Sequence, residues 1–179
     1  MLSSLTAVLA FGLTYYATAV IQTVFHRLFG HAKRYMAVYA SHTHGHHGVY
    51  RGKALLQEHW IPSERHVLWY FSIPLGILAA TVYALTTPVV FITHLAAIAF
   101  SVLWHIGLHR QYHLKGSVLE RYAWFRRKRA LHFVHHLHVR TNYAISEYWL
   151  DRLLGTYRGW PADYDPTTFP NTTLSSPGP

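Results

Sequence analysis

Three long apolar stretches constrain this chain more than any other feature. The first, Leu2–Phe25, reads LSSLTAVLAFGLTYYATAVIQTVF and carries no charge. It is long enough to cross a hydrocarbon core, which takes about 20 helical residues. Val67–Leu85 (VLWYFSIPLGILAATVYAL) and residues 89–108 (VVFITHLAAIAFSVLWHIGL) are the second and third. Between them Thr86, Thr87 and Pro88 read as a turn, since proline drives the residue before it out of the helical region. The first stretch makes a poor signal peptide: no basic segment precedes it and no clean small-residue cleavage site follows. Only 13% of the residues are charged, about half the share of a soluble domain. The expected fold is therefore all-α, an integral-membrane helical bundle of about three transmembrane helices.

Charge sets the expected topology. Lys33, Arg34, Arg51, Lys53 and Arg65 lie between the first and second stretches, and Arg110, Lys115, Arg121 and Arg126 to Arg129 follow the third; the hairpin turn has none. The positive-inside rule puts residues 26–66 and 110–179 in the cytoplasm, at the endoplasmic reticulum of a eukaryote or the inner membrane of a bacterium. Residues 118–140 read as an interfacial helix, basic on one face with Trp124, Phe125, Leu131 and Phe133 on another. Aromatic residues within a basic helix also suit nucleic acid, but the apolar stretches decide for an anionic membrane surface, and no nucleic-acid partner is expected. Residues 142–157 read as a further short helix. From Gly159 the chain is rich in Pro, Thr and Ser, which predicts a disordered tail over 159–179 behind a membrane-embedded domain over 1–158. The sequon at Asn171 lies on the expected cytoplasmic side, which argues against its use.

The chain has sixteen histidines, seven carboxylates and no cysteine. Any metal site must be built mainly of imidazole. Thiolate sites are excluded, and the Glu-x-x-His pairs of a carboxylate-bridged four-helix di-iron site are missing. The histidines cluster at the expected cytoplasmic boundary: His26 and His31; His42, His44, His46 and His47; His105, His109 and His113; and His132, His135, His136 and His138. Positions i, i+3 and i+4 share a helical face. His132, His135 and His136 are then expected to point one way, as are His105 and His109. His42, His46 and His47 converge, though Gly45 and Gly48 make a helix uncertain there. About ten aligned histidines fit two metals better than one. His59 and His66 read as surface or supporting residues, His94 as a helix–helix hydrogen bonder, and His138 as off the ligand face. His113 reads as either a ligand or an interfacial residue.

The order of these clusters resembles the fatty acid hydroxylase/sterol desaturase superfamily of integral-membrane di-iron oxygenases, over roughly residues 25–157. The family pattern H-x4-H, H-x2-HH, H-x3-H, H-x2-HH is matched by His26 and His31, approximately by HTHGHH, by His105 and His109, and by His132, His135 and His136. NYAISEYWLDRLLGTY resembles the family's closing motif. Thr43 stands where the second box expects a ligand, which leaves His42 or His44 to supply it; Ala144 replaces a glycine; and Leu150 is inserted between Trp149 and Asp151. The resemblance implies two irons, with zinc as a substitute in purified protein, held in a cytoplasmic helical cap by His26, His31, His42, His46, His47, His105, His109, His132, His135 and His136. It implies O2-dependent hydroxylation or desaturation of an unactivated C–H bond in a lipid. A fatty-acyl or sphingolipid chain comes first, then a sterol, then a carotenoid. Electrons would come from an external cytochrome b5-like or ferredoxin-like donor, for which the basic face offers a dock. Metal-bound histidines usually donate their second N–H to a carboxylate or carbonyl, and Glu58, Glu64, Glu120 and Asp151 are the nearby acids. For Asp151 an ion pair with Arg152 or Arg140 is the plainer expectation, and for Asn142 and Tyr143 helix capping. A metal transporter, from a different class, would line its spans with histidine; here His94 and His105 alone lie within the third.

Overall fold

The computed structural model describes residues 2–64 and 67–160. Among the described residues the chain is all-helical, with one isolated bridge between Gln57 and Leu114. α1 spans Leu2–Phe25, α2 Met36–Tyr39, α3 His47–Val49, α4 Val67–Leu85, α5 Pro88–Tyr112, α6 Ala123–Leu137 and α7 Trp149–Leu153. In apolar surroundings a helix is the local structure that satisfies its own N–H and C=O groups, and each uncharged stretch takes that form. α5 opens on Pro88, whose fixed φ suits a first helical position, after the extended Thr87.

Two segments, Ser4–Gly30 and Pro88–Tyr112, are long and apolar enough to cross a membrane. The expected second run forms α4, a 19-residue helix without a charged side chain, and its apolar segment extends at least over Phe71–Leu85. α1 packs along α5, and α4 touches both. A hydrogen bond of 2.8 Å between Thr14 Oγ1 and His94 Nδ1 joins α1 to α5, the role expected of His94. Away from these contacts the helices present bare apolar side chains, with Leu13, Ile92, Leu103 and Ile77 more than half exposed.

The interfacial helix expected over 118–140 is a different object. Val118–Arg121 forms a 3-10 turn, and α6 begins at Ala123. Phe125 packs with Leu108, Tyr112 and Ile145; Phe133 packs with Tyr50 and Leu55; and Leu131 packs with Ala144 and Tyr148. Three apolar side chains around the helix serve three cores, so α6 is buried within the protein, and of the expected apolar face Trp124 alone stays exposed. Over residues 142–157 the helix shrinks to α7. Asn142 sits in the left-handed region at φ 52°, where Asn is tolerated and a helix cannot start. Of the expected tail, residues 161–179, with Asn171, lie outside the described residues.

Candidate metal centre

The first two histidine boxes depend on π-helical turns. Residues five apart on an α-helix lie about 140° away from a common face, so His26 and His31 would diverge. A π turn instead pairs i with i+5. His26–Gly30 is such a turn at the end of α1, and Ala40–His46 is a second. The Nε2 atoms of His26 and His31 come to 3.2 Å, and those of His42 and His47 to 3.1 Å. His44 is turned outward and rests on Tyr39. Thr43 is not a ligand substitute: its hydroxyl donates to the Gly30 carbonyl at 2.8 Å and ties the two π turns together.

Gly45 is required by packing. A Cβ built there would lie 2.4 Å from the backbone carbonyl of Ser63, and backbone cannot swing aside as a side-chain end can. The contact holds the segment carrying Glu64 against the second π turn. We predict that Gly45→Ala will lower stability by about 1–3 kcal/mol through overpacking. Thermal unfolding checks the loss, and metal analysis checks the accompanying weakening of the His42 site. An unchanged midpoint would refute the packing account.

Ten histidines converge in two groups of five. His26, His31, His42, His47 and His135 form one, with ligand atoms all within 4.8 Å of one another. His46, His109, His113, His132 and His136 form the other on the same criterion. Sequence neighbours are divided between them. His46 and His47 part company, and so do His135 and His136, because adjacent helical positions are about 100° apart. His132 and His136, one turn apart on α6, serve the second group together, while His135 faces the first. The three therefore do not point one way. His109 and His113 repeat the one-turn pairing at the end of α5.

The geometry inside each group fits a metal ion. The closest Nε2–Nε2 contacts run from 2.8 Å (His26–His42) to 3.2 Å in the first group and from 2.9 Å (His113–His132) to 3.1 Å in the second, and the ligand atoms of each group all lie within 4.8 Å of one another. Ligands about 2.1 Å from a shared ion are about 3.0 Å apart at right angles and about 3.4 Å apart at tetrahedral angles. The close contacts are of the size expected for neighbouring nitrogens on one shared ion. Hydrogen bonding alone does not explain them. The Nδ1 atoms of His26 and His135 face the carbonyls of Tyr143 and Thr141, at 2.5 and 2.7 Å, and that of His42 faces the Glu64 carboxylate. Those of His113 and His136 face the carbonyls of Leu55 and Tyr50, at 2.9 and 2.7 Å. These acceptors take a proton from Nδ1, and a neutral ring that donates there has a bare Nε2. Bare nitrogens then point inward together, an arrangement that a cation at the centre stabilises.

Burial and the neighbouring rings hold His46, His113, His132, His135 and His136 well below the usual imidazole pKa, and they lower His31 and His47 too. The rings are thus neutral at neutral pH, the form that binds metal. Burial pushes the Glu64 carboxyl up, but its contact with the His42 ring prevails and brings it down to about 2. Of the four acids expected to support ligands, Glu64 alone touches one. Glu120 pairs with Arg129 at 2.6 Å and Glu58 with Lys115 at 2.8 Å.

Asp151 makes neither expected ion pair. Its carboxylate accepts from the N–H of Tyr143 at 2.8 Å and of Ala144 at 3.0 Å, and from the Thr156 hydroxyl at 2.7 Å. Burial pushes its pKa up against those three donors. Asn142 bonds the carbonyls of Leu131 and Arg158 and accepts from the Arg158 N–H. The NYA segment is thereby clamped, with its Tyr143 carbonyl set against His26. The motif supports the ligands through backbone, not through its side chains.

Nine of the ten expected ligands fall in the two groups, and the tenth, His105, does not. One turn deeper on α5, it places Nδ1 against the Ser101 carbonyl at 2.6 Å and accepts from the Ser146 hydroxyl at 2.8 Å. His113 stands in the group instead. Both readings obey the same four-residue repeat, so spacing alone did not separate them. His105 lines, with His26, His42 and His109, a cavity of about 390 Å3 that is otherwise walled mainly by Phe25, Phe29, Phe71, Leu75, Val102 and Ile106. An apolar chamber thus opens on both histidine groups. No protein-family model, curated protein or solved structure matches the chain.

Proposed function

We propose that this protein is a membrane-bound di-iron oxygenase of the fatty acid hydroxylase/sterol desaturase type. It uses O2 and external electrons to hydroxylate or desaturate an unactivated C–H bond of a lipid, a fatty-acyl chain first. The observation that carries the reading is the pair of five-histidine groups, with bare nitrogens inward, at the wall of one apolar cavity. Five nitrogens converge in each group, one more than a tetrahedral zinc site uses, which favours iron as the ion they would hold. Iron held there would supply the reduction of O2 and the attack on the C–H bond.

The chain's own residues do the rest. Phe25, Phe29, Phe71 and Leu75 hold an apolar chain and exclude water. His26, His42 and His109 belong to both the cavity wall and the metal groups, so a bound chain lies beside both. Glu64 fixes the His42 ring, and the Tyr143 and Thr141 carbonyls fix His26 and His135. In this reading α1, α4 and α5 cross the membrane and the histidine groups cap them on the cytoplasmic side, as the distribution of Lys and Arg requires.

The test begins with metal analysis of the purified protein. About two irons per chain are expected. Lipids of an expressing host should gain species heavier by one oxygen or lighter by two hydrogens, and His135→Ala together with His136→Ala should abolish them. A protein without tightly bound metal, or one with two metals and an unaltered lipid profile, would refute the oxygenase and leave a metal-handling protein.

A further inference from the structure

His105 is the one expected ligand that stands outside both metal groups, and it is buried on α5, a helix long and apolar enough to cross a membrane. An ionisable group in such a place usually has a function. The polarity of its ring is fixed by its partners. Nδ1 faces the Ser101 carbonyl, which can only accept, so the proton of the neutral ring sits on Nδ1 and Nε2 is bare. The Ser146 hydroxyl donates to that bare nitrogen at 2.8 Å.

The contacts continue outward from there. Ser146 Oγ lies 3.4 Å from the Tyr15 hydroxyl, and Tyr15 donates to the Glu147 carboxylate at 2.8 Å. Three separate parts of the sequence supply these groups: α1, α5 and the stretch between α6 and α7. The two ends of the row open on different spaces. His105 lines the apolar cavity with His26, His42 and His109, and four helical residues place it about 6 Å along α5 from His109. Tyr15 and Glu147 line a separate groove, open to the outside, together with Trp104, Trp124 and Lys128. Ser146, between the two, is buried, while the Glu147 side chain is 19% exposed. The row therefore crosses the wall between groove and cavity. A purely structural contact could be replaced by apolar groups at little cost; a continuous row of groups that each donate and accept has a further use.

We infer that Glu147, Tyr15, Ser146 and His105 form a proton relay from the outer groove to the cavity beside the metal groups. The inference rests on the proposed oxygenase function, which consumes protons. Hydroxylation converts R–H, O2, two electrons and two protons into R–OH and one water; desaturation takes the same oxidant, electrons and protons and releases an alkene and two waters. The electrons come from the external donor. On taking up a proton, Glu147 changes from acceptor to donor and passes the proton to the Tyr15 oxygen. The Tyr15 proton then moves to Ser146, across the loosest link, and the Ser146 proton moves to His105 Nε2. Each hydroxyl breaks one O–H bond and forms one, so one proton advances by one link at every step and no electron moves. The protonated ring, on the cavity wall, releases its proton there and the row resets.

The test reads proton movement without turnover. The full chain is loaded with zinc, which has no redox chemistry, labelled with 15N at histidine and held in lipid nanodiscs. Nuclear magnetic resonance then measures the rate at which His105 Nε2 takes up and releases a proton. Tyr15→Phe and Glu147→Gln, which keep the shapes of their side chains, should each slow that rate by about tenfold, the effect of one lost hydrogen bond on the path. Ser146→Ala should do the same. Proton exchange at His94, which bonds Thr14 outside the row, should stay unchanged, as should the two bound metals. Unchanged exchange at His105 in Tyr15→Phe and Glu147→Gln would overturn the inference. So would equal slowing at His94, a general effect on the helices, or loss of metal, which would assign the row to holding the ligands in place. Selective slowing at His105 on a protein that never oxidises lipid would leave the proton path standing and refute the oxygenase instead.

Discussion

His135→Ala and His136→Ala, adjacent substitutions on one helix, will each remove a different metal. The first strips the group that contains His26, His31, His42 and His47; the second strips the group that contains His46, His109, His113 and His132. Each single variant should retain about one metal per chain, and the double variant close to none. Loss of one nitrogen from five leaves that ion short of a ligand and also opens a buried void, so a fall of at least 10-fold in affinity is expected, the lower bound seen even for supporting residues. Competition with a chelator, followed by metal analysis, reads the two sites separately. His132→Ala supplies the discriminating comparison. If the three residues of the box shared one ion, it would match His135→Ala. With the box split, it matches His136→Ala. Simultaneous loss of both metals from any single variant would refute the division into two groups.

How much of this was legible in the sequence follows from which physics each feature obeys. The helices were legible because an uncharged apolar run has few other ways to satisfy its backbone. The histidine clusters were legible because so many imidazoles in a chain of seven carboxylates need a reason. The assignment of rings to metals was not, because it rests on helix type. A four-residue repeat presumes an α-helix. The π turns at His26–Gly30 and Ala40–His46 turn the x4 spacing into a shared face, and they make His42 a neighbour of His47 despite Thr43. No local propensity announces a π turn. His105 was misplaced for a related reason: the repeat fixes its angle around α5 but not its depth, and Ser146, which fixes the depth, is distant in sequence. The basic segment over 118–140 was misread because its apolar residues were counted as one face, although Phe125, Leu131 and Phe133 enter three separate cores.

Asp151→Asn will destabilise the protein and loosen the first metal group selectively, although Asp151 touches no ligand. Its carboxylate is completely buried and is held by two backbone N–H groups and the Thr156 hydroxyl. An amide of the same shape presents one NH2 where an oxygen is needed, so at least one N–H of the clamp loses its acceptor and meets a donor. An unsatisfied buried donor costs about 1–3 kcal/mol, and a charged acceptor raises the figure, so a loss of about 3 kcal/mol is expected. The clamp positions the Tyr143 carbonyl that accepts from His26, and Asn142 N–H donates to Thr156 O at 2.9 Å beside it. The His113 and His136 rings lean on Leu55 and Tyr50 instead. Metal should therefore weaken first in the His26 group and persist in the His113 group. Thr156→Val separates this from general destabilisation: it removes one donor, leaves both backbone bonds, and should cost about 1 kcal/mol with both metals retained. Chelator competition on the two variants, read beside their unfolding midpoints, decides the matter. Equal weakening of both metals in Asp151→Asn would mean that the closing motif stabilises the fold at large and does not position the His26 ring.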